Sequence, residues 1–218
     1  MNKLQNIEKN KGSEVTSQLG IDVHQIVRKY KDPIKYDEYR AKWKAAANLE
    51  LVPDFPIQID FELNYSCNFT CSMCTWSAEV TSGKGKRTWF NFEKFKQVID
   101  QGVEKGLCAI RLNYINEPFI RRDIFDFIKY AEERGVLDIY LSTNGSLLTE
   151  TVSKKLLDSG LTRLQVSLDA YTKETFDKIR QGGDFQKVVN NTLRFIDIRN
   201  KAGNELPTLR VNFVKTKA

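Results

Sequence analysis

The chain has 218 residues and a formal net charge of +6, from 34 Lys and Arg against 28 Asp and Glu. With 41% hydrophobic residues, 13 Phe, 8 Tyr and 3 Trp, it has too much apolar surface to be disordered over most of its length. No stretch approaches the roughly 20 apolar residues of a bilayer span, and the polar first residues lack the apolar core of a signal peptide, so we expect a cytoplasmic protein.

Residues 1–54 are predicted to form an N-terminal arm and helical extension. Residues 1 to about 22 contain few apolar side chains, which is typical of a loosely docked arm. From Val23 to Asn48 the apolar residues follow helical spacing in two pieces that are separated at Asp32-Pro33. Two prolines between residues 51 and 56 then indicate a linker.

Residues 55–218 are predicted to form a second unit, in which strands alternate with helices. The strands are expected at Ile57–Leu63, Ala109–Leu112, Asp138–Leu141, Arg163–Leu168 and Leu209–Val214, and the helices begin near residues 91, 123, 150, 172 and 185. Strict alternation with short connections favours a parallel sheet of right-handed βαβ units. This pattern leaves two architectures open, a doubly wound open sheet and a complete or partial barrel of the TIM type. In both, functional groups belong at the carboxyl ends of the strands.

Three of the four cysteines follow the first predicted strand directly. Cys67, Cys71 and Cys74 have three and then two residues between them, whereas Cys108 stands alone at the start of the second strand. A closed zinc site needs four ligands, and the only histidine, His24, lies far upstream. A four-iron cubane held by three thiolates would instead leave one iron free for another ligand. The remaining alternative is three incidental thiols that pack as small hydrophobic side chains.

The Cys67-x3-Cys71-x2-Cys74 motif resembles that of the radical S-adenosylmethionine (SAM) superfamily. The stretch from Phe55 through Phe61-Glu62-Leu63 to Cys74 is similar to the branch that usually carries a C-terminal SPASM or twitch domain. This resemblance covers roughly residues 55 to 218. It implies an α/β partial TIM-type barrel with about five of six strands present, and it implies that the three cysteines hold a [4Fe–4S] cluster. It also leads us to expect that the chain is truncated before an auxiliary domain.

Later strand ends continue the resemblance in the expected order. Residues 114–118 are similar to the family's Gly-Gly-Glu-Pro loop, with Ile-Asn in place of Gly-Gly, and residues 142–145 and 166–170 are similar to its Thr-Asn-Gly and Ser-Leu-Asp segments. The resemblance implies SAM contacts for Met73 (adenine), Asn116 and Glu117 (amino group), Ser167 and Asp169 (methionine and ribose) and Arg180 (carboxylate). It implies that Thr143 and Asn144 shape the pocket wall or touch substrate.

The activity implied by the resemblance is reductive cleavage of SAM to methionine and a 5′-deoxyadenosyl radical, which abstracts hydrogen from a substrate. An external electron donor of the flavodoxin or ferredoxin type would serve such an enzyme, and the substrate would be a small molecule, a peptide or a sugar. No acid or base acting on the substrate can be named. The alternatives are a non-catalytic metal- or cluster-binding interaction module and an RNA-modifying member. The one basic patch, residues 84–87, is too short to favour nucleic acid.

Overall fold

The computed structural model describes residues 22–83 and 87–214. The strands are β1 (Gln58–Asp60), β2 (Ala109–Arg111), β3 (Asp138–Thr143), β4 (Arg163–Ser167) and β5 (Thr208–Asn212). The helices are α1 (Val23–Lys29), α2 (Pro33–Ala47), α3 (Thr75–Thr81), α4 (Phe92–Glu104), α5 (Ile124–Glu133), α6 (Glu150–Leu157), α7 (Lys173–Ile179) and α8 (Phe185–Lys201). The predicted loose arm lies outside the described residues except for Asp22, and so does the basic patch except for Arg87.

The five strands form one parallel sheet in the order β1-β2-β3-β4-β5. A doubly wound sheet reverses its strand order at a switch point, and this sheet does not. In a TIM-type barrel, each strand lies next to the strand that follows it in the sequence, as it does here. The structure therefore confirms the predicted α/β class with parallel strands, and it decides between the two architectures that the sequence left open.

The register of the strands aligns apolar residues into layers. Ile59 pairs with Ile110, which in turn pairs with Ile139, and the last two are buried. The helices cover the sheet with buried aromatic side chains, among them Phe95, Phe127 and Phe195. This core holds the strands rigidly, so their carboxyl ends stay in fixed relative positions.

The first strand is shorter than its sequence pattern predicts. The predicted strand runs over Ile57–Leu63, but ladder pairing ends at Asp60. The N–H of Phe61 still donates to the carbonyl of Arg111 in β2 at 2.7 Å. After that residue the chain bonds to the segment that precedes α4, where the Leu63 carbonyl accepts the Phe90 N–H at 2.9 Å. Alternate side chains are buried both where the chain pairs with β2 and where it bonds to the segment before α4. The period-2 pattern therefore does not show where the pairing partner changes.

Helices α1 and α2 confirm the two helical pieces predicted before residue 48. Pro33 occupies the first position of α2, and the Asp32 side chain accepts the backbone N–H of Ile34 at 3.0 Å. The buried faces of Tyr36 and Tyr39 pack against residues at the amino ends of β1 and β2. The helical extension therefore lies at the end of the sheet opposite the cysteines. The division of the chain after residue 54 stays a prediction.

In the part of the chain that the structure describes, no helix has both the length and the apolar character needed to cross a bilayer.

Candidate functional site

The loop that carries the three clustered cysteines, residues 64–74, leaves the carboxyl end of β1 and is hereafter the cysteine loop. Backbone hydrogen bonds hold it from two sides. On one side, the N–H of Glu117, which follows β2, donates to the carbonyl of Ser66 at 3.0 Å. On the other side, the N–H of Thr70 donates to the carbonyl of Gln181, which follows α7, at 2.8 Å. The conformation of the loop is therefore set by segments distant in sequence.

Phe69 fixes the middle of the cysteine loop by burial. Its side chain is 2% exposed and meets the ring of Phe176 edge-on at 6.4 Å between centroids. Gly183 approaches so closely that a Cβ at this position would lie 2.7 Å from the Phe69 ring. A glycine is therefore required here for the loop to lie against the segment that follows α7.

The three thiols of the loop are unbridged, and two of them face polar donors from other elements. Cys71 is buried, while Cys67 and Cys74 are half-buried. The side-chain amide of Asn144, after β3, lies 3.9 Å from the Cys67 sulfur, and Nη1 of Arg180, after α7, lies 3.8 Å from the Cys71 sulfur. Hydrogen-bond donors around sulfur suit a thiolate rather than a buried hydrophobic thiol.

The electrostatics of the loop disfavour bare thiolates. Burial raises the pKa of Cys67 to about 11 and also raises the pKa of Cys71. Charge on Cys71 further raises the pKa of Cys67, and charge on Cys74 does the same for Cys71, so each of these two pairs of thiols repels when both members are ionised. Ligation requires the deprotonated form, and a cationic metal centre would supply the compensating charge.

The number and type of the donors suit a cubane better than a closed zinc site. A structural zinc ion takes four ligands, whereas a cubane offers each of three thiolates a separate iron. In the part of the chain that the structure describes, no three His, Cys, Asp or Glu side chains are grouped as ligands of a single metal ion. The chemistry of the three thiols suits a [4Fe–4S] cluster, and their role as its ligands stays a prediction.

Asn144 belongs to a closed ring of hydrogen bonds that joins the β3 loop to the cysteine loop. Its Nδ2 donates to Oδ1 of Asn68 at 2.9 Å, and Nδ2 of Asn68 donates to Oγ of Ser146 at 2.9 Å. The Ser146 hydroxyl closes the ring by donating to Oδ1 of Asn144 at 2.6 Å. This ring orients the Asn144 amide towards Cys67.

Glu117 is completely buried, and both of its carboxylate oxygens are occupied by protein donors. They accept the Thr143 hydroxyl at 2.8 Å, the backbone N–H of Asn144 at 2.7 Å and the backbone N–H of Phe119 at 3.2 Å. Burial raises the pKa of Glu117 to about 7, although these hydrogen bonds oppose the shift. Glu117 thus connects the loop after β2 to the loop after β3. Its implied contact with the SAM amino group stays a prediction.

Asn116 directs its side chain towards Glu62, which follows β1. The Asn116 amide donates to one carboxylate oxygen of Glu62, and the backbone N–H of Ile115 donates to the other at 2.9 Å. Oδ1 of Asn116 is buried and has no hydrogen-bond partner among the described residues. This free acceptor lies in the loop to which the resemblance assigns the ammonium group of SAM, and the Glu62 carboxylate contacts that loop from the end of β1.

Asp169 has an unusual backbone conformation at the carboxyl end of β4. Its φ of 57° lies in the left-handed region, which is uncommon outside glycine. One carboxylate oxygen accepts the backbone N–H of Val214 at 2.8 Å, and the other forms an ion pair with Nη2 of Arg180. Ser167, two residues earlier, has its hydroxyl 3.4 Å from that of Ser142, which joins the ends of β4 and β3.

Met73 has a different environment from the other predicted cofactor residues. It is 47% exposed and lies in the cysteine loop between Cys71 and Cys74. Its thioether is accessible to a ligand, and its predicted contact with adenine stays a prediction.

Sequence patterns alone missed several polar side chains of this site. Glu62 and Asn113 are examples: Asn113 accepts the N–H of Ser142 at 2.8 Å and donates to its carbonyl at 2.7 Å. Both residues come just after the last paired residue of a strand, which is where functional groups of parallel sheets gather. That position is the signal that could have identified them.

A family model described as the radical SAM superfamily matches residues 61–206. A probable GTP 3′,8-cyclase of Sulfurisphaera tokodaii is 33% identical over 155 residues, which are 71% of this chain and 46% of that protein. The mycofactocin maturase MftC of Mycolicibacterium smegmatis is 33% identical over 140 residues, 62% of this chain and 33% of that protein. The chain therefore spans less than half the length of either relative.

The fold also resembles that of a solved structure. The crystal structure of Streptococcus suis SuiB bound to its precursor peptide SuiA aligns with 85% of this chain and 38% of that one, with a TM-score of 0.61 and 18% sequence identity. At this identity the likeness concerns the fold, and it confirms the partial-barrel architecture.

Proposed function

The chain belongs to the radical SAM superfamily, whose members are enzymes that use a [4Fe–4S] cluster and SAM, and on that premise we propose that Cys67, Cys71 and Cys74 hold the cluster in this protein. The observation that carries the proposal is the position of the three thiols at the carboxyl end of β1, with donors from the loops after β3 and α7 directed at two of them. Hydrogen bonds to ligand sulfurs are a recurring feature of cluster sites.

We propose that SAM lies across the carboxyl ends of β2 and β4. The free Oδ1 of Asn116 is a suitable acceptor for the ammonium group of SAM, and Glu117 supports the same loop. The hydroxyl of Ser167 and the carboxylate of Asp169 would contact the methionine and ribose parts, and the exposed thioether of Met73 would contact adenine.

The residues of the chain bind and orient, whereas the cofactors supply the reaction. When bound, the reduced cluster supplies the electron that splits SAM into methionine and a 5′-deoxyadenosyl radical. Glu117 holds the β3 loop, Asn144 orients Cys67, and the hydrogen bonds of Glu62 fix the loop after β2. Neither the binding of SAM nor its cleavage requires a protein base.

The substrate is proposed to be a small molecule, a peptide or a sugar, and the electron donor a flavodoxin- or ferredoxin-type protein. Because the SuiB structure of similar fold holds a precursor peptide, a peptide is the first class to test. A substrate deuterated at the reacting carbon should transfer deuterium to 5′-deoxyadenosine. Candidate substrates that leave the label in place would be rejected.

The proposal is tested by anaerobic reconstitution of the full chain with iron and sulfide, followed by dithionite and SAM. We expect about four irons per chain and release of 5′-deoxyadenosine. Substitution of Cys67, Cys71 and Cys74 by Ala should abolish both. The matched control is Cys108→Ala, whose half-buried thiol lies at the amino end of β2 and should not affect either readout.

The alternatives predict different outcomes. A non-catalytic metal-binding module would bind metal through the same thiols without cleaving SAM. An RNA-modifying member would show RNA affinity that falls steeply with salt. Loss of iron binding in Cys108→Ala but not in the triple variant would contradict the proposed ligand set.

A further inference from the structure

Arg180 connects the cysteine loop to the end of β4. Its Nη2 forms an ion pair with Asp169, and its Nη1 lies 3.8 Å from the sulfur of Cys71. The two side chains are only 13% and 2% exposed. The resemblance implies that Arg180 binds the carboxylate of SAM, yet the two occupied nitrogens face a protein carboxylate and a predicted cluster ligand.

We infer that Arg180 acts on the cluster through Cys71. Its charged hydrogen bond to the Cys71 sulfur raises the reduction potential of the cluster. The inference rests on the proposed function. Hydrogen bonds to the sulfurs, net charge and solvent exposure set the potentials of iron–sulfur clusters. A guanidinium stays protonated at any accessible pH, so it contributes a fixed positive charge.

The sign of the effect follows from charge. One-electron reduction adds a negative charge to the cluster and its thiolates, and a nearby cation stabilises that state more than the oxidised one. The interaction is weakly screened because the ion pair lies largely away from water. Arg180 therefore makes the cluster easier to reduce, which is the step that must precede SAM cleavage.

The two donors to cysteine sulfurs differ in charge. Asn144 presents a neutral amide to Cys67 at 3.9 Å, whereas Arg180 presents a cation to Cys71 at 3.8 Å. Charge-assisted hydrogen bonds are about twice as strong as neutral ones. We expect the loss of Arg180 to change the potential more than the loss of the Asn144 amide.

Asp169 modulates this charge. Its carboxylate partly neutralises the guanidinium, and its other oxygen is held by the backbone N–H of Val214 at 2.8 Å. Removal of the Asp169 charge should raise the cluster potential, and removal of the Arg180 charge should lower it. General damage to the site would not give shifts of opposite sign.

The test is a potentiometric titration of the reconstituted full chain without SAM, monitored by the EPR signal of the reduced cluster. At the midpoint potential of the wild-type chain, Arg180→Gln should lower the ratio of reduced to oxidised cluster at least tenfold, which for one electron is about 59 mV. Arg180→Lys, which keeps the charge and guards against a folding defect in the first variant, should stay within threefold of wild type. Asp169→Asn should shift the ratio in the opposite direction to Arg180→Gln.

The control is Arg134→Gln. Arg134 belongs to a partly exposed ion pair with Asp100, and it follows α5, before the amino end of β3. Its loss should leave both the fold and the potential unchanged. The inference is overturned if Arg180→Gln keeps the wild-type potential. If that variant keeps the potential and only weakens SAM binding, Arg180 is a SAM ligand and the inference is also wrong. A wild-type chain that takes up no cluster would overturn the proposed function as well.

Discussion

The Glu117 carboxylate accepts the backbone N–H of Asn144 at 2.7 Å, although the two residues follow different strands. Through this bond a buried carboxyl group after β2 holds the backbone of Asn144, whose side-chain amide lies 3.9 Å from the Cys67 sulfur. The candidate site is therefore held by contacts between neighbouring loops, as expected where the carboxyl ends of parallel strands meet.

Glu117→Gln should destabilise the fold at pH 8. Oε1 accepts the Phe119 N–H and Oε2 accepts the Asn144 N–H, so either orientation of a Gln amide places NH₂ against a backbone donor. A buried donor left without an acceptor costs about 1–3 kcal/mol of the free energy of unfolding, which urea denaturation measures. The exposed Glu104→Gln is the control and should change little. Equal stabilities of the two variants would show that Glu117 is not held as described.

Gly183→Ala should reduce the iron content of the reconstituted chain. The added Cβ would lie 2.7 Å from the ring of Phe69, which is buried in the cysteine loop and cannot move aside. Gly106→Ala is a suitable control, because Gly106 has a φ of 98° and an added methyl group there would meet no atom of the described residues within 4 Å. The Gly106→Ala substitution costs about 1–2 kcal/mol of backbone strain, but the variant chain should keep its full iron content. Full iron content in both variants would contradict the close approach.

The imidazole of His24 should titrate below its ordinary pKa of 6.5. Burial lowers this pKa, as do the charges of Arg40 and Arg163, and they outweigh Asp138 and Asp22, which raise it. Because the chain has one histidine, NMR detects its titration without ambiguity. A pKa at or above 6.5 would contradict the observed environment.

The same shift predicts how stability depends on pH. Below pH 6.5 the unfolded chain binds a proton at His24 that the folded chain does not, so the free energy of unfolding falls as pH falls towards the folded pKa. His24→Gln should remove this contribution. The difference between wild type and variant, measured by urea unfolding from pH 8 to pH 5, should therefore shrink as the pH falls.

Asp138→Asn should destabilise the amino end of the sheet. Asp138 is completely buried and pairs with Arg163 at 2.7 Å, and it accepts the Thr162 hydroxyl at 2.7 Å. Burial raises its pKa, but Arg163 and Thr162 outweigh burial and hold the pKa below its usual range. Its contribution is thus present above about pH 4 and lost as pH falls through the folded pKa.

Loss of one partner of a buried pair costs about 3–5 kcal/mol, and thermal unfolding at pH 7 should show a large decrease in Tm. Asp177→Asn removes one partner of the exposed ion pair with Lys173 and serves as the control, with little change expected. A Tm for Asp138→Asn close to that of the control would show that the buried pair does not support the fold.

The strand and helix order was predictable because alternation of period 2 and helical spacing report which side chains face the core. Helix α3 (Thr75–Thr81) escaped prediction. It contains Thr at both ends and Val at position 80, residues with low helix propensity, and it forms where tertiary contacts override that preference.

The cysteines and the strand-end motifs were readable from residue type and spacing, but the contacts between them were not. Arg180 and Cys71 are 109 residues apart, and the ion pair of Arg180 with Asp169 depends on how α7 returns to the sheet. Likewise, no local pattern joins Glu62 to Ile115. Such contacts depend on the packing of distant elements, so only the folded chain shows them.

The most direct test of the account is the EPR spectrum of the reconstituted, dithionite-reduced chain before and after addition of SAM. Three thiolates leave one iron of the cluster open, so we predict one [4Fe–4S]⁺ signal whose g-values change when SAM binds. The change should be absent when the three cysteines of the loop are replaced by Ala, because no cluster would form. A cluster signal that SAM leaves unaltered in the wild-type chain would contradict the central claim.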